Sequence, residues 1–220
     1  MNEYQNAFKE KIKLENFEIS FVNKAGEGIT LLVDSDFILV EGKTLQFLMV
    51  KDITEAKDKE EKVKFLAYHD FLTGLANRAA FEKRIADLLN RKKMFNLLLL
   101  DLNKLKQIND TFGHQAGDHA IQHITKILQE VAANTHYAAR LGGDEFVMLL
   151  HADETETITI IKEMKQRLLT PLTLPEHDQI CLSASIGVSY YPEDGETINE
   201  LYRIADKRMY EEKQKLKSDN

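Results

Sequence analysis

One cysteine in 220 residues, Cys181, excludes an internal disulfide and fits a reducing cytoplasm. Its place in an apolar, alternating stretch marks it as a buried structural thiol. No apolar run approaches the roughly 20 residues that cross a bilayer, and the opening MNEYQNAFKEK is charged where a signal peptide needs an apolar core. The expectation is a cytoplasmic protein with no membrane segment in this chain, tethered to a membrane only if the chain is part of a larger sensor. An excess of positive charge is also missing. The formal net charge of −7 argues against a nucleic-acid partner but leaves room for a local basic site facing a nucleotide's phosphates. There is no internal repeat and no low-complexity tract. What is present is 43% hydrophobic residues, enough for a packed core in one large domain or one domain with an attachment.

The apolar residues alternate first at Phe17, Ile19 and Phe21, then in ITLLV and FILV, then past the Glu41-Gly42 turn in LQFLMV. This predicts an antiparallel meander over residues 1–52, too small to bury much alone. A charged connector follows over 53–69, with a thin apolar stripe at Ile53, Ala56, Val63, Leu66 and Ala67. It suits either a signalling helix that pairs with its twin or a solvated linker.

From residue 70 to 220 the pattern is helix, then βαββαβ, then helix. Asn77 stands where it would cap a helix carrying Phe81, Ile85, Leu88 and Leu89, and FNLLLLDL is an apolar strand ending at Asp101. Gln107 to Ala132 reads as mostly helical, and HYAARL and EFVMLL read as strands joined at GGD. Ile158, Ile161, Met164 and Leu168 mark a further helix, and CLSASIGVSYY a strand. Thr197 and Glu200 form a capping box for the last helix. The fold class is α+β: a ferredoxin-like or palm-type antiparallel sheet with helices packed on one face and surrounding helices, preceded by the meander and connector.

Asp101 at a strand end and Gly142, Gly143, Asp144 and Glu145 at a hairpin turn would converge at one sheet edge if the strands are neighbours. A few carboxylate oxygens with positions open to phosphates suit Mg²⁺, which rarely takes a full protein cage. Glycines let the backbone approach a phosphate or base that a side chain would block. Spacing alone equally allows a tight hairpin with solvated acids.

The motifs HDFLTGLANR, DLNKLKQINDTFGHQAGD, RLGGDEF and ADKRMYEEK occur in one order, and residues 68–215 resemble the diguanylate cyclase, or GGDEF, family. The resemblance implies a palm-like fold related to adenylyl cyclases. The implied activity joins two GTP molecules into cyclic di-GMP with release of two pyrophosphates, across a homodimer in which each subunit supplies one GTP. It implies Asp101 and Asp144 as ligands of two Mg²⁺, with Mn²⁺ as a substitute, and the Leu102 carbonyl as a further ligand. Asp144 would also be the base for the ribose 3′-hydroxyl. Asn109 and Asp118 would read the guanine edge, and His114 would line the same pocket. Lys106 and Lys213 would face the triphosphate. Gly142 and Gly143 would lie against GTP, and Glu145 would turn to the face opposite Asp144 in a supporting or base-contacting role. The rival reading is a non-catalytic GTP-binding module that regulates a partner domain such as a phosphodiesterase outside this chain.

Other residues invite over-reading. His119 and His123 have zinc-like spacing without a completing set, and solvated histidines are expected. Asp70, Asn77 and Arg78 are expected to cap and brace, and Arg140 to pair with an acid or a phosphate. The chain also departs from the family. Asn103 and Leu105 replace an aspartate and a phenylalanine, so Asn103 is not expected to bind metal and Leu105 should loosen packing near the guanine. Leu216 and Lys217 replace an arginine-glycine ending. Ala133 and His136 occupy the positions of an arginine-aspartate product-inhibition pair, so no tight product feedback is expected there. The meander ending in VKDITEAK resembles the last strands of a PAS sensor domain. It would be either a fragment of a longer sensor or a dimer-forming remnant.

Overall fold

The alternating segments of the first fifty residues pair as three strands, β1 (Leu14–Val22), β2 (Gly28–Val40) and β3 (Lys43–Asp52), in the order β1-β2-β3. ITLLV and FILV belong to one long strand, continuous through VDSD. Glu41 and Gly42 both take positive φ, the two-residue turn that right-twisted hairpins favour. At the other turn, Asn23 accepts the backbone N–H groups of Ala25 and Glu27. Helix α1 (Thr54–Tyr68) follows, its start tied by the Asp52 carboxylate to the Thr54 N–H and hydroxyl. It has no buried residue, and Val63 and Leu66 of the expected stripe are exposed.

This computed structural model describes residues 6, 9–132, 136–174 and 179–218. The chain divides into two units, Met1–Phe65 and Leu66–Asn220. Among the described residues, no helix is long and apolar enough to cross a membrane.

The second unit runs α2 (Arg78–Asn90), β4 (Phe95–Leu102), α3 (Leu105–Phe112), α4 (His114–Ala132), β5 (Tyr137–Gly142), β6 (Glu145–Leu150), α5 (Glu154–Leu168), the short pair β7 (Leu172–Thr173) and β8 (Gln179–Ile180), β9 (Ala184–Tyr191) and α6 (Ile198–Ser218). The main sheet has the order β5-β6-β4-β9 with every neighbour antiparallel, the arrangement expected of a βαββαβ palm.

Both faces of that sheet are covered, which is why all eight residues of FNLLLLDL are buried. Leu98, Leu100, Phe146 and Met148 pack with Ile124 and Leu128 of α4 and Met164 of α5. On the other face Leu97, Leu99, Val147 and Leu149 pack with Phe81 and Ile85 of α2 and Leu201 and Ala205 of α6. The expectation of helices on one face is therefore corrected: α4 and α5 cover one face, and α2 and α6, which flank the βαββαβ core in sequence, cover the other. Asn96 is tolerated in this core because its amide donates to the Ala152 carbonyl and the Thr157 hydroxyl.

Local expectations fare unevenly. Asn77 caps α2 by accepting the Ala80 N–H, and Thr197 and Glu200 make the reciprocal capping box. The stretch after Asp101 is two helices, because Gly113 takes φ 87° between α3 and α4. In α5 the inward stripe is Thr157, Ile160, Met164 and Leu168, leaving Ile158 exposed. Cys181 is exposed and precedes β9, so the expected buried thiol is corrected: the alternation of CLSAS extends three residues beyond the strand that contains its end.

Candidate active site

Strand β4 carries Asp101 to the edge of the sheet, and the β5–β6 hairpin carries Asp144 beside it. The Leu102 N–H donates to the Asp144 carbonyl at 2.9 Å, so the strand end and the turn are stitched together. Gly142 and Gly143 have φ of 139° and 55°, and a Cβ on either would meet nothing within 4 Å. The glycines are thus demanded by the bend, and the space above them is open. Asp101 and Glu145 are opposite each other in register, so their side chains share the face that carries α2 and α6.

Lys213 of α6 reaches across that face, its Nζ 2.6 Å from Asp101 Oδ1. Two packing features fix the helix that delivers it. A Cβ at Gly187 would lie 1.9 Å from the Ala205 carbonyl oxygen and 2.4 Å from the Met209 nitrogen, so only glycine lets α6 lie this close to β9. Glu212, next to Lys213, accepts the Ile186 N–H of β9 and pairs with Lys165 of α5. Neither residue was legible beforehand, since both roles depend on elements far apart in the chain.

The turn is braced from its other side. Arg140 donates to the Gly143 carbonyl through Nε and Nη2 and to Asp70 Oδ1 at 3.0 Å. Asp70 also accepts the Thr73 N–H and hydroxyl. Burial works to raise the Asp70 pKa, but the Thr73 and Arg140 hydrogen bonds outweigh it and hold the carboxyl below its usual value. Asn77 donates to the Ala67 carbonyl and the Ala76 carbonyl accepts the Arg140 N–H, so HDFLTGLANR is tied to β5. Glu145 faces Arg78 at 3.8 Å, both half-exposed. Close by, Tyr202 is pushed up to about 12, chiefly by burial.

The chain leaving β4 turns sharply. Lys104 adopts φ 61°, a left-handed conformation few non-glycine residues take, and α3 starts at the next residue. Asn103 anchors the bend: its amide donates to the Ser183 hydroxyl, its carbonyl oxygen accepts from Ser185, and its N–H goes to the Ser183 carbonyl. These serines were not foreseen. Lys106 is exposed on the first turn of α3. Asn109 lies one turn on, against Gly117 of α4, where a Cβ would come within 1.9 Å of its Oδ1. His114 and Asp118 are exposed on the first turns of α4. Asn109, His114 and Asp118 therefore share the α3–α4 corner, with Gly117 making room for the amide. Leu105, on the first turn of α3, is buried in the core.

His119 is exposed and His123 half-buried, its pKa lowered mainly by burial. Among the described residues, no group of three or more His, Cys, Asp or Glu side chains is placed to hold a metal ion. The oxygen donors near the turn are the carboxylates of Asp101, Asp144 and Glu145 and the Leu102 carbonyl. Ala133 lies outside the described residues, as does the side chain of Lys217. His136 accepts the His151 N–H at Nδ1.

A palm-type antiparallel sheet that brings two acids together at a Gly-Gly turn defines the class by fold, and comparison with known proteins gives the family. The family described as "Diguanylate cyclase, GGDEF domain" matches residues 67–219, and this chain belongs to it. The chain is 41% identical over 152 residues to diguanylate cyclase DgcN of Escherichia coli K12, covering 67% of this chain and 37% of that one. It is 32% identical over 201 residues to diguanylate cyclase DgcM of the same strain, covering 89% and 48%. An uncharacterized signaling protein of Caulobacter vibrioides is 35% identical over 182 residues, 80% of this chain and 22% of its own. The chain thus spans less than half the length of each of these relatives. Among solved structures, a sensory box/GGDEF family protein from Caulobacter crescentus superposes with TM-score 0.62 at 32% identity, over 67% of this chain and 99% of that one. The coiled coil and GGDEF domain of DgcB from the same species, in complex with c-di-GMP, gives 0.65 at 26% identity, over 74% and 88%.

Proposed function

We propose that this protein condenses two GTP molecules into cyclic di-GMP, releasing two pyrophosphates, at half-sites brought together in a homodimer. The observation that carries this reading is the junction of Asp101 and Asp144, stitched through the Leu102 N–H and faced by Lys213, beneath a Gly-Gly turn open to a ligand. The donor set fits a hard dication: two carboxylates and the Leu102 carbonyl are oxygen ligands, and the Lys213 ammonium on Asp101 stands where a cation's charge is wanted. Asp101, Asp144 and Leu102 would hold two Mg²⁺, or Mn²⁺ in its place. Magnesium when bound would polarise the α-phosphate and offset charge on the leaving pyrophosphate.

The chain's own groups do the rest. Asp144 would accept the proton of the ribose 3′-hydroxyl. Asn109 and Asp118 would read guanine from the α3–α4 corner, with His114 lining the pocket. Gly142 and Gly143 would let GTP approach the backbone, Lys106 and Lys213 would meet the triphosphate, and Glu145, held near Arg78, would support the turn. DgcN and DgcM, both diguanylate cyclases by name, support the reading. At the feedback position the His136 ring is engaged by His151 and offers no bidentate partner, so cyclic di-GMP should not bind tightly there.

The test is turnover of GTP with Mg²⁺ under dimerising conditions. Asp144→Ala should lower cyclic di-GMP formation by about a thousandfold or more, since base and metal ligand go together. Wild-type protein that binds GTP yet never converts it would favour the regulatory-module reading instead.

A further inference from the structure

The Lys213–Asp101 pair holds information about how the site loads. Asp101 is mostly buried, its side chain 12% exposed, and Lys213 Nζ sits 2.6 Å from its Oδ1. A carboxylate so placed needs a partner, and an ammonium supplies one. The same ammonium makes Asp101 a poorer ligand for a dication, because both cations draw on one carboxylate's charge and repel each other. Helix α6 cannot easily withdraw the lysine. Gly187 seats the helix against β9, and Glu212 pins it to the Ile186 N–H and to Lys165. Only the flexible four-carbon stem of Lys213 is free to move.

We propose that Lys213 occupies the cation position at Asp101 in the nucleotide-free protein and surrenders it when nucleotide and metal arrive together, its ammonium transferring to the phosphates. This deepens the reading of Asp101 as a metal acid and rests on it. Metal alone binds weakly because it must break the ion pair and leave the ammonium only water to face. Metal with a nucleotide binds well because the triphosphate gives the displaced ammonium a new partner. Loading the two separately is therefore disfavoured, and the pair is the unit that binds.

The experiment is Mn²⁺ binding to the nucleotide-free full chain, followed by electron paramagnetic resonance of the free ion at neutral pH and fixed ionic strength. Lys213→Met and Lys213→Gln should each bind Mn²⁺ about tenfold more tightly than wild type, a change of about 1.4 kcal/mol. Lys213→Arg, which keeps the charge, should bind it as wild type does. Adding Asp101→Asn to the Met or Gln variant should remove the gain. Unchanged or weaker Mn²⁺ affinity in both neutral variants, with Asp101→Asn still lowering affinity, overturns the displacement while leaving Asp101 a metal acid. If Asp101→Asn alters Mn²⁺ binding in no background, the displacement and the metal reading fall together.

Discussion

Strands β3, KTLQFLMVKD, and β4, FNLLLLDL, carry similar apolar runs and meet opposite fates. Leu45, Phe47, Leu48, Met49 and Val50 of β3 are exposed, while every residue of β4 is buried. Apolar content makes both segments strands, but only β4 is covered on both faces by helices. That covering is what makes β4 useful. A strand clamped between two helical layers holds the carboxylate at its end where the fold puts it, and limits the groups that can answer its charge. In β3, among the described residues, the same kinds of side chain stay exposed.

The sharpest way to break this contrast is to shorten one leucine in each strand. Leu98→Ala, at 1% exposure, removes methyl groups from the packed layer beneath α4 and should cost about 2–5 kcal/mol. Leu48→Ala, at 41% exposure, should stay within about 0.5 kcal/mol. Denaturant unfolding of both variants measures the difference. Equal losses would mean that β3 is packed in solution as β4 is here.

Glycine gives a second, smaller contrast. Gly187→Ala places a methyl against the backbone of α6, so the helix must shift, and should cost about 1–3 kcal/mol. It would also carry Lys213 away from Asp101. Gly28→Ala at the start of β2 meets nothing within 4 Å and should be neutral within about 0.5 kcal/mol. Thermal unfolding of the pair decides whether the close seat of α6 is as unforgiving as its geometry implies.

These glycines also mark the limit of what the sequence could tell. The strand ending at Asp101, the hairpin at Gly142-Gly143, the cap at Asn77 and the box at Thr197 were legible, because periodicity and turn chemistry act over a few residues. Gly187 and Gly117 were not, because each is required by a side chain or helix that the fold brings in. The same holds for Asn103, for which the sequence offered only the expectation that it binds no metal, and which ties the strand end to Ser183 and Ser185. Ile158 lies in the expected helix but off its inward stripe for a subtler reason. A helical stripe is defined only to within a residue, and Thr157 takes the inner place because Asn96 offers its hydroxyl a partner. Cys181 shows the opposite failure, a strand-like alternation where no strand runs.

The smallest effect concerns the clamp behind the turn. Asp70 accepts from Thr73 and from Arg140, which in turn holds the Gly143 carbonyl. Its pKa is held below the ordinary 3.8 although burial alone would raise it, so the folded protein favours the charged form. The stability this contributes is fully present above about pH 3.8 and is lost as pH falls through the lowered folded value. Asp70→Asn keeps an acceptor for Thr73 but gives up the charge facing Arg140, and should cost about 1 kcal/mol at neutral pH. Unfolding curves of wild type and Asp70→Asn should run parallel from pH 7 down to about 4 and converge below it. No comparable acid-dependent gap should follow Leu48→Ala in β3, which removes no ionisable group. A gap between wild type and Asp70→Asn that persists undiminished to the lowest pH would show that Asp70 braces the turn through the hydrogen bonding of its carboxyl group and not its charge, and that the charge contributes nothing to holding Arg140 against Gly143.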